Sequence, residues 1–184
     1  VVPQDDGLDT DFNVIENLML FGSYYSLPEK IVHQRAHDLL RTMRLDEYSH
    51  HALDTLSGGM KRRLSIARGM IHHPEILFLD EPTTGLDPQA RIWIWDFFKK
   101  LKEKNSTLIL TTHYMEEAER ICDRIAIMDH GKILAVGAPK ELIQEYIGQE
   151  VVELEIRKQD LDYYVNKLNQ KKFESHSYGE VLSV

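Results

Sequence analysis

The sequence has 184 residues, of which 42% are hydrophobic and 28% are charged, a composition typical of a globular protein with one core and a small additional unit. The formal net charge of −8 argues against nucleic acid as a partner, because proteins that bind it usually carry a basic face. The apolar runs are far shorter than the roughly 20 residues that span a bilayer, and the single cysteine excludes an internal disulfide.

Two helices are predicted after an initial loop over residues 1–10. Asn13 and Glu16 have the spacing of a capping box and start a short helix that ends near Gly22. The segment Ser26-Leu27-Pro28-Glu29 predicts a second start of the same kind, followed by a longer helix with one apolar face.

A third helix is predicted to start at Ser57-Gly58-Gly59, where serine is a natural N-cap and the glycines leave backbone N–H groups unobstructed. A phosphate at this helix start would meet free N–H donors and the positive end of the helix dipole. Because serine caps helices of every kind, this start alone is weak evidence for an anion site. The basic segment Lys61-Arg62-Arg63 is interpreted as the polar, solvated face of the helix.

Four consecutive apolar residues, Ile76 to Leu79, predict a parallel strand that is covered on both faces. Asp80 and Glu81 follow at its carboxyl end, where open α/β sheets bind their ligands. Two adjacent acids on an extended backbone point to opposite sides, so we assign Asp80 to Mg²⁺, through its water shell, and Glu81 to the water that attacks a γ-phosphate. A strand that simply ends in a polar turn explains these two residues equally well at this point.

A second apolar strand is predicted over residues 107–110, after a helix that starts at Asp87-Pro88. An aspartate N-cap with proline at the first helical position is a common helix start, which is a sufficient structural explanation of Asp87. His113 follows the second strand, where ligand-facing residues collect. A lone histidine in such a place is more often structural.

Taken together, these segments resemble the nucleotide-binding subunit of ATP-binding cassette (ABC) transporters. Leu56 to Met60 is similar to the family signature Leu-Ser-Gly-Gly-Gln except at its last position, and Ile76 to Glu81 is similar to the Walker B strand with its catalytic glutamate. Gly85-Leu86-Asp87 resembles the D-loop, His113 the switch histidine and Gln4 the glutamine of the Q-loop.

The resemblance extends over roughly residues 1 to 140. It implies an α/β fold: a partial P-loop NTPase core with a helical signature subdomain and a small C-terminal α+β appendage. We expect the ABC ATPase domain to comprise residues 1–148, with the helical subdomain over about 11–73, and a truncated appendage to comprise residues 149–184. Within the family, the motifs resemble the branch that exports drugs, lipids or polysaccharides.

The resemblance also implies a shared ATP site with Mg²⁺. In one subunit, Gln4 reaches Mg²⁺ and the attacking water, Asp80 serves the metal, and Glu81 and His113 act on the water and the γ-phosphate. Asp87 crosses the dimer interface toward the partner's nucleotide. The opposite subunit contributes the cofactor-binding residues of its signature: Ser57, Gly58 and Gly59.

The implied function is to couple ATP-driven closure of a homo- or heterodimer of nucleotide-binding subunits to export by a membrane permease. The expected location is the cytoplasm, peripheral on the cytoplasmic face of the cell membrane. The family's phosphate loop, Gly-x-x-x-x-Gly-Lys-Ser/Thr, does not occur in the 184 residues, so we expect a fragment that by itself hydrolyses ATP poorly or not at all. The alternative is a non-hydrolytic regulatory or half-site partner of a complete cassette.

Overall fold

Three packed helices open the fold: α1 (Val14–Ser23), α2 (Glu29–Thr42) and α3 (Gly58–Met70). The computed structural model describes residues 1–103, 106–146, 153–157, 160–170, 176–178 and 181–183. The predicted capping box of α1 is confirmed, because the Asn13 side chain accepts from the Glu16 N–H and the Glu16 carboxylate accepts from the Asn13 N–H.

The predicted cap of α2 is wrong. The N-cap position is Pro28, no side chain caps the helix, and Ser26 adopts a left-handed backbone with φ of 54°. Proline disfavours helical geometry in the residue before it, here Leu27, so the helix cannot begin before Pro28. Ser26 therefore belongs to the turn between α1 and α2.

A parallel pair of strands, β1 (Ile76–Asp80) and β2 (Thr107–Thr111), follows, with α4 (Pro88–Lys102) between them in the chain. The register places Asp80 opposite Thr111. Parallel strands present their carboxyl ends at one edge, so the residues that follow β1 and β2 lie near each other. Helix α5 (Met115–Ile121) comes directly after this edge.

Strand β1 is buried on one face only. Leu77 and Leu79 are each 1% exposed, whereas Ile76 and Phe78 are 51% and 46% exposed. The prediction of a strand covered on both faces is therefore wrong for the described part of the chain, which packs only against the face of Leu77 and Leu79. The core on that face combines residues of the helices and of β1: Val14, Leu18, Leu40, Met43, Leu64, Ile66, Ile71, Leu77, Leu79, Ile94, Trp95 and Phe98.

The chain divides into two compact units, Val1–Ile121 and Cys122–Val184. The second unit contains the antiparallel hairpin of β3 (Ile125–Asp129) and β4 (Lys132–Gly137), and helix α6 (Pro139–Tyr146), which contacts β4. Three short strands form a second antiparallel sheet in the order β5, β7, β6, with α7 in the same unit. Their bounds are β5 (Glu153–Glu155), α7 (Leu161–Gln170), β6 (His176–Tyr178) and β7 (Val181–Ser183).

The division between the two units falls before the hairpin, whereas the predicted domain boundary lies between residues 148 and 149, outside the described residues. The earlier division reflects the contacts that the hairpin makes with itself and with α6. The boundary at 148 stays a prediction. Across the described ranges, no helix combines the length and the apolar character that a bilayer crossing requires.

Candidate active site

Predicted site residues from three separate segments meet at the carboxyl edge of β1 and β2. His113 Nδ1 lies 3.2 Å from Glu81 Oε1, and Gln4 Nε2 lies 3.4 Å from Glu81 Oε2. Asp80 Oδ1 accepts a hydrogen bond from the Thr111 hydroxyl. The structure thus brings Gln4, Asp80, Glu81 and His113 into one cluster, which we call the edge cluster.

Glu81 is held in an unusual conformation. Its φ of 42° lies in the left-handed region, which costs a residue with a side chain of this size roughly 1–3 kcal/mol and is concentrated at functional sites. Its N–H donates to the Thr111 carbonyl oxygen at 3.1 Å, and its Oε2 accepts from the Thr84 hydroxyl at 2.8 Å. The neighbouring chain segments therefore fix both the backbone and the carboxylate.

The electrostatics of the edge cluster favour a charged carboxylate. Hydrogen bonds from Thr84 and then His113 hold the pKa of Glu81 below its usual value of 4.5. At neutral pH Glu81 is ionised, so it can accept a hydrogen bond from a water molecule. A low pKa makes it better suited to orienting that water than to removing its proton completely.

The signature segment stands apart from the edge cluster. Ser57 Oγ accepts from the Met60 N–H at 3.3 Å, so serine caps α3 as predicted. A side-chain carbon at Gly58 would meet open space, and one at Gly59 would lie 3.8 Å from Leu86 Cδ2. Within the described ranges no hydrogen bond or ion pair connects Ser57 to the edge cluster, so its role toward a phosphate stays a prediction.

Asp87 caps α4. Its Oδ1 accepts from the Ala90 N–H at 2.9 Å, with Pro88 at the first helical position. This cap accounts for the residue structurally. Its role toward a partner's nucleotide stays a prediction.

Arg62 was interpreted from the sequence as part of a solvated face, and this interpretation is wrong. Arg62 is 4% exposed, and burial lowers the pKa of its guanidinium while Asp6, Asp80 and Glu117 favour the charged form. Its N–H groups donate to five backbone carbonyl oxygens at 2.5 to 3.2 Å: those of Pro3, Gln4, Asp80, Glu81 and Pro82. No local pattern separates Arg62 from its basic neighbours Lys61 and Arg63.

Glu117 was not among the predicted site residues. Its carboxyl group is fully buried. Oε1 accepts from the Thr83 hydroxyl at 2.8 Å and from Trp95 Nε1 at 2.9 Å, while Oε2 has no hydrogen-bond partner among the described residues. Glu117 thus connects the helix that follows His113 to the loop that follows Glu81.

Comparisons with known proteins identify the family of the chain. The family model for ABC transporters matches residues 1–84. The Nod factor export ATP-binding protein I of Ralstonia nicotianae is 50% identical over 154 residues, which are 84% of this chain and 48% of that protein. The chain belongs to the ABC transporter family. The protein of the same name from a Rhizobium sp. is 49% identical to this ABC chain over 84% of its length and 51% of the relative.

The solved structures support the same family. This ABC chain matches the dimeric post-hydrolysis state of the ATP-binding cassette MJ0796 bound to ADP and Pi, with a TM-score of 0.67 and 26% sequence identity. The match covers 75% of this chain and 61% of that one. The predicted fold class, a partial α/β ABC ATPase core, is confirmed. The chain spans about half the length of the curated relatives it matches.

The donor set of the edge cluster fits Mg²⁺. Asp80 offers an exposed carboxylate and Gln4 an amide oxygen, and hard oxygen ligands are those that Mg²⁺ prefers. Among the described residues no group of three or more acidic, histidine or cysteine side chains could hold a metal. Mg²⁺ is usually bound through one or two carboxylates together with waters and phosphate oxygens, so the carboxylate of Asp80 could serve as its protein ligand.

Proposed function

We propose that this chain belongs to an ATP-hydrolysing subunit of an ABC exporter. The observation that supports the proposal is the edge cluster, in which a carboxylate with a left-handed backbone stands between an amide and an imidazole at the end of a parallel strand. Such a cluster can position a water molecule and stabilise charge on a phosphoryl group without covalent chemistry.

Each member of the edge cluster would have its own task. Glu81 accepts a hydrogen bond from the attacking water and fixes its direction. His113 donates from Nδ1 to Glu81, so only the imidazolium form, with a second proton on Nε2, can also donate to a phosphate oxygen. Asp80 and Gln4 are placed to hold Mg²⁺, which would neutralise the charge that develops on the phosphate oxygens.

The remaining parts of the proposal concern the assembly. A second nucleotide-binding subunit would bring its Ser57, Gly58 and Gly59 to the phosphate, with Asp87 near the interface, so that ATP joins the two subunits. A membrane permease would use this cycle for export, with the chain on the cytoplasmic face of the membrane. Export is supported by the relatives named Nod factor export ATP-binding protein I.

The test is the variant Glu81→Gln in the gene product as the cell makes it, assembled with its permease. Glutamine has the same shape but replaces one charged acceptor oxygen with an NH2 donor. The water then loses the anionic acceptor that orients it, so we expect ATP turnover to fall by about two orders of magnitude or more while ATP binding is retained. Steady-state phosphate release and nucleotide-binding titrations measure the two quantities.

The matched control is Glu75→Gln, the same chemical change at the exposed opposite end of β1. It should leave turnover unchanged. Full turnover in Glu81→Gln would remove Glu81 from this role. A wild-type assembly that binds ATP and a second cassette without any turnover would support the non-hydrolytic partner instead.

A further inference from the structure

One side chain of α3, that of Arg62, donates hydrogen bonds to the backbone of the edge cluster. Arg62 Nη1 donates to the carbonyl oxygens of Pro3 at 2.5 Å and Gln4 at 3.1 Å. These bonds fix the chain on either side of the Gln4 side chain, which points to Glu81. The position of Gln4 thus depends directly on α3.

The same guanidinium also holds the end of β1. Arg62 Nη2 donates to the carbonyl oxygens of Asp80 at 2.8 Å and Glu81 at 3.2 Å, and Nε donates to that of Pro82 at 2.8 Å. A guanidinium has five N–H groups, and here each has a carbonyl acceptor. One buried group therefore sets the separation between the backbones of Gln4 and Glu81.

Two further side chains on the same face of α3 extend the contact along the loop of residues 3–7. The Ser65 hydroxyl and Arg68 Nη2 each donate to the Asp6 carbonyl oxygen at 3.0 Å, and Arg68 Nη1 donates to the Gly7 carbonyl oxygen. Positions 62, 65 and 68 are spaced at about one helical turn. This loop is tied to α3 over its whole length.

We propose that Arg62 is a positioning residue for hydrolysis, which couples α3 to the backbones of Gln4 and Glu81 at once. The inference rests on the proposed ATPase function. A displacement of about 1 Å of a catalytic group costs up to roughly 100-fold in rate. A guanidinium that joins both segments is placed to prevent such a displacement whenever α3 moves.

Arg62→Lys is the informative variant. Lysine keeps the positive charge but offers three N–H donors on a flexible stem, so at least two of the five carbonyl oxygens lose their partner. Arg62→Gln is the second variant: it is neutral, so no charge is left buried without acceptors, and its two N–H donors leave at least three of the five carbonyl oxygens unpaired. Both leave the side chains of the edge cluster chemically unchanged.

The matched control is Arg63→Lys. Arg63 lies next along α3, is partly buried and donates to the carbonyl oxygens of Met43 at 2.7 Å and of Gly59, within α3, at 3.4 Å; neither acceptor belongs to the edge cluster. Its replacement removes equivalent chemistry from the same helix. We expect its kcat to stay within about threefold of the wild type.

The experiment measures ATP turnover by the protein assembled with its permease. The number of active sites is determined from bound nucleotide, so that the rate is calculated per folded molecule. We expect kcat of Arg62→Lys and Arg62→Gln to fall about 10- to 100-fold, with KM for ATP within about threefold. A purely structural role would lower the number of binding sites and leave kcat per site unchanged, and this result would overturn the inference. A raised KM with an unchanged kcat would overturn it as well. A wild type without turnover would refute the proposed function itself.

Discussion

Glu81 has a rigid backbone and a carboxylate that two neighbours keep charged. The Thr84 hydroxyl donates to Oε2 at 2.8 Å, and His113 lies 3.2 Å from Oε1. Asp80 and Glu81 were predicted from their position after an apolar strand. The contact of Thr84 was not predicted, because no local pattern indicates the left-handed backbone of Glu81 three residues before it.

The variant Thr84→Val tests this arrangement through pH dependence. The hydrogen bond from Thr84 is the largest cause of the lowered pKa of Glu81. Without it the pKa rises toward its usual value, so the carboxylate is protonated at a higher pH. We expect the acidic limb of the pH profile of kcat to move to higher pH.

The control for that variant is Thr84→Ser, which keeps the hydroxyl and should keep the wild-type profile. The lowered pKa of Glu81 also affects stability. It stabilises the folded state at pH values above the unfolded pKa of about 4.5, and this contribution is lost as the pH falls through the folded pKa. A profile of Thr84→Val that does not move, or moves to lower pH, would contradict the assignment.

Among the elements, α5 is attached to its surroundings by a buried carboxyl group. Glu117 accepts from Thr83, in the loop after β1, and from Trp95 of α4. His113 lies just before α5 and Thr83 just after Glu81, so the same contact aligns the two sides of the edge cluster. The starts of α1, α3 and α4 were predicted from their capping residues, but this contact was not, because it joins residues 22 and 34 positions apart.

The variant Glu117→Ala should destabilise the folded protein. It leaves the buried donors of Thr83 and Trp95 without an acceptor, and each such donor costs roughly 1–3 kcal/mol. We expect the free energy of unfolding to fall by about 2–5 kcal/mol, measured by denaturant titration.

Glu116→Ala is the matched control, since Glu116 is exposed and lies only 3.9 Å from Arg120 in a surface ion pair. Its effect should stay below about 1 kcal/mol. Equal effects of the two variants would show that the buried contact contributes nothing beyond a surface charge.

In the molecule as a whole, the sequence predicted the α/β class and the order of the elements from α1 to β2, because motif spacing and apolar periodicity are local properties. It did not predict which face of β1 is exposed, since burial depends on what packs there. Arg62 was missed for a related reason: its acceptors lie 18 to 59 positions away, and they are backbone atoms, which every residue has. A sequence pattern distinguishes side chains and not carbonyl oxygens.

The central claim is that the edge cluster acts on the terminal phosphate of ATP. The most direct measurement is the structure of the Glu81→Gln protein with its permease, trapped with ATP and Mg²⁺. We predict His113 and a water beside residue 81 within about 3 Å of the γ-phosphate, Asp80 and Gln4 at the Mg²⁺ shell, and the partner's signature residues on the opposite side of the phosphate. A γ-phosphate bound elsewhere, with the edge cluster facing only solvent, would contradict the account.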